Sequence, residues 1–258
     1  MATAAGHAGA HHARGLPHPP WSLHEKLLAA MGGVCVLRPS HSYFAGGIQL
    51  PLEARMTGIY GGFTLATVLL LAFRRAGARR IGSTIVISTL GLAFSAMAFD
   101  GINSTLAEIG LTHLYTPTNA LRLATGLLSG MALAPVILWL VSTVAAPRTR
   151  GTGLPVIRSP WELIVAAGVS ALFAAFVVSE HPLSYYPVAV ISVAGVVGVA
   201  TSVALLLVVL VGGLDGRVTS WRQLVAPGGV ALLLALGLLA GAATVRWTSL
   251  DGVLGGSV

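Results

Sequence analysis

The chain has 258 residues, of which 55% are hydrophobic and only 9% charged, and its mean hydropathy is +0.85. That polar fraction cannot cover a water-soluble globule, so the composition specifies a polytopic membrane protein. A net charge of +7 would suggest nucleic acid in a soluble chain, but here the arginines fall between apolar spans, where topology accounts for them, and nucleic-acid binding is set aside.

Residues 1–27 carry His7, His11, His12 and His18 among prolines and glycines, with no continuous apolar core and no regular histidine spacing. They read as a flexible tail rather than a secretory signal or a metal site. Leu27 to Leu37, with Gly32 and Gly33 inside it, is too short to cross a bilayer and reads as an interfacial or re-entrant helix. Six segments then reach spanning length: Thr57 to Phe73, Ile81 to Phe99, Asn119 to Ala145, Trp161 to Val178, Tyr185 to Val211 and Leu224 to Val245. The expected fold is all-α, a polytopic transmembrane helix bundle of about six spans plus the short N-terminal helix. Its expected parts are the tail 1–27, a membrane half 28–145 bearing a polar cluster, and a second half 146–258 of three spans.

The connections alternate in charge. Arg74, Arg75, Arg79 and Arg80 follow span one, Arg148, Arg150 and Arg158 follow span three, and Arg217 and Arg222 follow span five, while the other two loops hold no Lys or Arg. The positive-inside rule places the arginine loops in the cytoplasm and both termini outside, in a multi-pass membrane protein. Arg14, Lys26, Arg38 and Arg55 oppose that assignment; were Leu27 to Leu37 to span, the count would become seven and the tail would return inside.

Under this topology the polar residues gather at the outer leaflet. Glu53 and Arg55 precede span one, Asp100 and Asn103 in "FDGIN" close span two, Asn119 and Arg122 open span three, and His41 lies in the preceding loop. Gly58 with Gly62, and Gly126 with Gly130, form two G-x-x-x-G faces that permit close helix packing, which would hold Arg55 and Arg122 at one depth. Three readings stay open for these arginines: a neutral knot with Glu53 and Asp100, a ligand site on the same side chains, or interfacial snorkelling with neither role. His113 and His181 read as interfacial, Tyr185, Tyr186, Trp161, Trp221 and Trp247 as aromatic-belt anchors, and Glu162 as a helix-start charge beside Arg158. Cys35 is the single cysteine, so an intrachain disulfide and a multi-cysteine metal site are excluded, and no cofactor is indicated. No G-x-S-x-G, H-E-x-x-H, P-loop or dinucleotide fingerprint occurs.

The blocks "CVLRPSHSYFAGGIQLPLEARMTGIYGG", "DGIN" and "NALRLATGLLSG" resemble those of the predicted prokaryotic membrane-protein family called domain of unknown function 2085, over roughly residues 28 to 135. The resemblance sets Cys35, Ser42, Pro51, Arg55, Thr57, Gly58, Tyr60, Gly62, Asp100, Asn119, Arg122 and Thr125 on motif positions, which draws Tyr60 into the candidate set. Val36 and Leu37 replace a His and a Gln of the motif, and Glu53 replaces a cysteine, so any Cys/His cluster the family holds is dismantled here.

Three functions follow as expectations. The first is a lipid-embedded protein whose Arg/Asp/Asn cluster (His41, Glu53, Arg55, Tyr60, Asp100, Asn103, Asn119 and Arg122) binds an anionic lipid or small anion. The second is a non-catalytic accessory subunit that packs against partner membrane subunits. The third, ranked below both, is an enzyme with Glu53 or Asp100 as general base.

Overall fold

The computed structural model describes residues 22–145 and 154–250; the tail histidines, Arg14, Arg148 and Arg150 lie outside the described residues. The N-terminal helix α1 (Leu23–Met31) starts at a capping box, in which the Ser22 hydroxyl accepts the Glu25 amide and the Glu25 carboxylate accepts the Ser22 N–H at 2.6 Å. At nine residues it extends only about 14 Å, less than half of a bilayer core. A tight hairpin follows, β1 (Phe44–Ala45) antiparallel to β2 (Ile48–Gln49), turned by Gly46 and Gly47 at φ of 59° and 81°. It docks on the far connection through Gly46 N–H to the Glu180 carbonyl at 2.9 Å.

Six helices are long and apolar enough to cross a membrane: α2 (Ala54–Ala72), α3 (Thr84–Glu108), α4 (Asn119–Val144), α5 (Pro160–Val178), α6 (Tyr185–Val211) and α7 (Val225–Val245). The span count agrees with the hydropathy reading; the end of span two does not. "FDGIN" was expected to close it, yet α3 continues to Glu108 and stops at Gly110, whose φ of 74° a helix cannot absorb. Polar residues end an apolar window without ending a helix: "NSTLAE" keeps helical geometry, and Thr105 returns its hydroxyl to the Gly101 carbonyl at 3.0 Å.

Helix α2 is central and packs most closely on α4, which runs parallel to it. Since lipid supplies no hydrophobic drive between apolar helices, this contact depends on close backbone approach. A Cβ on Gly58 would stand 2.5 Å from the Leu123 carbonyl oxygen, and one on Gly62 would stand 2.7 Å from that of Leu127. In return, a Cβ on Gly126 or Gly130 would collide with the Arg55 or Ile59 carbonyl. Helix α6 approaches the next face of α2 in the same way: Gly195 meets Tyr60 backbone, and the Thr64 hydroxyl donates to the Ile191 carbonyl at 2.8 Å. One core cluster joins Leu123 and Leu127 with Phe173, Tyr185 and Val188, so side chains from before and after residue 146 share it.

Two expectations for single residues are corrected here. Tyr185 is only 2% exposed and belongs to that core, not to an aromatic belt, whereas Trp161 and Tyr186 are open to the surroundings. Glu162 does more than start α5: it accepts the Arg158 amide at 3.0 Å and forms a partly buried ion pair with Arg75 from the α2–α3 connection. That end of the bundle is further tied by backbone bonds from Val156 to Arg80 and from Ile157 to Ile81.

Candidate functional site

At the opposite end, where α2 and α4 begin, three arginines face three carboxylates across four chain segments. Asp100 sits on the inner face of α3, 1% exposed, and is fully engaged. It accepts Arg55 Nη2 at 2.6 Å and the Tyr115 hydroxyl at 2.9 Å, and at 3.1 Å it shares the Thr125 hydroxyl with the Leu121 carbonyl, 2.9 Å from that oxygen. Arg55 Nη2 also donates to the Ser104 hydroxyl at 2.9 Å. All its hydrogen bonds come from this one nitrogen, and its Nε is buried without an acceptor. Tyr115 lies in the α3–α4 loop, where burial and the bond to Asp100 push its hydroxyl up and keep it a donor.

The second centre is Glu108, two turns further along α3 and about 12 Å from Asp100 along the axis. It accepts Arg38 Nη1 at 2.7 Å, with His41 Nε2 at 3.7 Å and Arg122 Nη2 at 3.6 Å. The last two separations exceed a hydrogen bond, so they are electrostatic neighbours. Arg122 Nη1 instead donates to Asn119 Oδ1 at 3.2 Å, and Asn119 Nδ2 donates to the Ser40 and Ser42 carbonyls. Glu53 does not pair with Arg55 or Arg122 as the sequence suggested; its carboxylate takes Arg38 N–H at 2.9 Å and Nε at 3.3 Å. Arg38 is presented to both carboxylates by Leu37, which holds φ 61°, a costly conformation for a branched residue, with its carbonyl bonded to the Gln49 side chain at 3.0 Å.

His41 is held below its ordinary pKa by burial first and then by the Arg122 and Arg38 cations. With His41 neutral, the charges of Arg38, Arg55 and Arg122 balance those of Glu53, Asp100 and Glu108. What the cluster offers an anion is therefore unused N–H donors, not surplus charge. Burial pushes the Cys35 thiol up.

Of the remaining sequence candidates, Asn103 is buried and works on the loop: its Nδ2 donates to the Tyr115 carbonyl at 2.9 Å, and its Oδ1 accepts Leu114 N–H at 2.8 Å. Tyr60 is not brought to the cluster. Five residues after Arg55, it is rotated about 140° around α2 and packs with Met31, Cys35, Leu52 and Val196. Gly58, Gly62, Gly126 and Gly130 lie in the α2–α4 contact described above. Sequence reading missed Glu108, Arg38 and Tyr115. The signal for Glu108 was faint, a lone carboxylate two turns after Asp100 in a stretch read as loop. Among the described residues no group of His, Cys, Asp and Glu is placed to hold a metal.

Six apolar helices sealed at both ends by polar networks define a multi-pass integral membrane protein. Residues 35–136 match the model of the family described as "Predicted membrane protein (DUF2085)", the family whose blocks the sequence resembles. The matched stretch contains every arginine and carboxylate of the cluster. Comparison with curated proteins and with solved structures yields no match.

Proposed function

We propose that the cluster binds an anionic group, carboxylate or phosphate, on the unused donors of Arg55 and Arg122, and that the protein is a membrane-embedded binding component and not a catalyst. The observation that carries this reading is the Arg55 guanidinium, which commits Nη2 to Asp100 and Ser104 and leaves Nη1 free beside Gly101. A free guanidinium edge suits oxyanions geometrically. A general-base role is disfavoured because Asp100 already accepts from three donors. Purified protein in a zwitterionic detergent should be thermally stabilised by inorganic phosphate, and Arg122→Gln should abolish the shift. An unchanged melting curve for the wild type across millimolar phosphate would reject the reading.

The positive-inside pattern supports placing this cluster on the outer side of a prokaryotic cytoplasmic membrane. In a Cys35→Ala background, Thr112→Cys should label with an impermeant thiol reagent in intact cells, and Asp215→Cys only after permeabilisation. The reverse pattern would invert the topology. An accessory-subunit role is favoured by one feature, α7, which buries only Ala231, Ala235 and Ala243 and leaves Leu232, Leu233, Leu234, Leu236 and Leu238 outward. Stoichiometric partner subunits after mild solubilisation would support it.

A further inference from the structure

Near Arg55 the bundle is open sideways. At the arginine-loop end, α2, α3 and α4 share one core through Ala66, Leu70, Val86, Leu90 and Ile137. At the cluster end α3 stays on α4, and Arg55 reaches across from α2 to Asp100 and Ser104. Beside that bridge lies an open groove of about 470 Å³, lined by Arg55, Met97, Ala98, Gly101, Ile102 and Leu106. Its volume falls within the roughly 300–1,000 Å³ of small-molecule sites. From Leu106 to Met97 the apolar wall runs about 13 Å along α3. Thr105 is the other polar side chain along it, and its hydroxyl is already spent on the Gly101 carbonyl. Arg55 Nη1 faces the groove over Gly101, 3.9 Å from where a Cβ on that residue would stand.

We infer that this groove is the acyl slot of an anionic lipid, which enters laterally from the bilayer and sets a headgroup oxygen on Arg55 Nη1. The inference rests on the anion-binding reading and adds the ligand class. One guanidinium at the end of an otherwise apolar, laterally open wall complements an amphiphile; a soluble anion would gain nothing from Met97, Ala98, Ile102 and Leu106. Gly101 is the gate, because any larger side chain there stands between Nη1 and the groove.

The test is native mass spectrometry of the purified full chain exchanged into micelles doped with phosphatidylglycerol or with diacylglycerol of the same chains, which lacks the phosphate. The wild type should retain phosphatidylglycerol about tenfold over diacylglycerol, one charge-assisted hydrogen bond being worth roughly that factor. Gly101→Leu, whose Cβ would stand 3.9 Å from Arg55 Nη1, should remove the preference, and the phosphate-induced thermal shift of the wild type reports the parent anion site separately. Ala98→Phe, which fills the slot from a different position, serves if Gly101→Leu fails to fold. Undiminished preference in the folded slot-filling variant overturns the lateral groove without touching the anion site. Equal retention of both lipids by the wild type, or a partner helix co-purifying in place of lipid, overturns it as well. Loss of phosphate stabilisation in the wild type is the separate failure of the parent reading.

Discussion

Removing Asp100 probes the cluster most directly, because the carboxylate holds three segments at once. In Asp100→Ala, Arg55 loses its 2.6 Å partner and keeps only the Ser104 hydroxyl and a 3.4 Å contact to the residue 100 carbonyl, while the Tyr115 and Thr125 hydroxyls lose an acceptor. Breaking a buried ion pair from one side costs about 3–5 kcal/mol. Arg55 keeps about a fifth of its side chain exposed and can recover some hydration, so the lower end applies, about 3 kcal/mol or roughly a hundredfold in the folding equilibrium. Arg55→Ala should cost at least as much, because it leaves the Asp100 carboxylate, 1% exposed, with only the neutral Tyr115 and Thr125 hydroxyls as donors. The double variant should be less damaged than the sum of the singles, with a coupling of about 1–3 kcal/mol. Reversible denaturation in mixed micelles, followed by tryptophan fluorescence, gives all three numbers. Additive effects with coupling below about 0.5 kcal/mol would refute the claim that the pair is an energetic unit.

Two further outcomes follow from the same geometry. Gly130→Ala should disrupt the α2–α4 contact and shift the protein to aggregated or dissociable forms on size exclusion, because its methyl would meet the Ile59 carbonyl; Gly91→Ala, on the same kind of helix but with open space around it, should be neutral or slightly stabilising. His41, faced by Arg38, Arg122, Glu108 and Glu53, has a folded-state pKa below its unfolded value, so the unfolded chain binds more protons between the two. Stability should therefore fall as pH drops below about 6.5, level off below the folded pKa, and lose this segment of its pH profile in His41→Gln; an identical profile in the variant would show that His41 does not carry it.

Hydropathy and charge alternation set the architecture unaided. Lipid demands about twenty apolar residues per helix and tolerates arginines only between them, so six spans and a short first helix follow from composition along the chain. The four glycines at G-x-x-x-G spacing, and Arg55, Asp100 and Arg122 at membrane edges, were legible for the same reason: small residues and charges are rare enough there to stand out. Pairing was not legible. Glu108 meets Arg38 across 70 positions, and Glu53 meets Arg38 instead of Arg55, because partner choice depends on where α3 ends and how the Leu37 turn aims its neighbour. Tyr185 inside the core and Tyr60 turned from the cluster were equally hidden, since a helix that is apolar all round carries no periodicity to mark its inward face. The sequence by itself thus determined how often the chain crosses the membrane and which rare residues lie near its surface. Only tertiary structure decided that Asp100 meets Arg55 and Tyr115, that Arg55 keeps an unused edge, and that α2 and α3 part beside it, because each depends on distances between helices that no local pattern encodes.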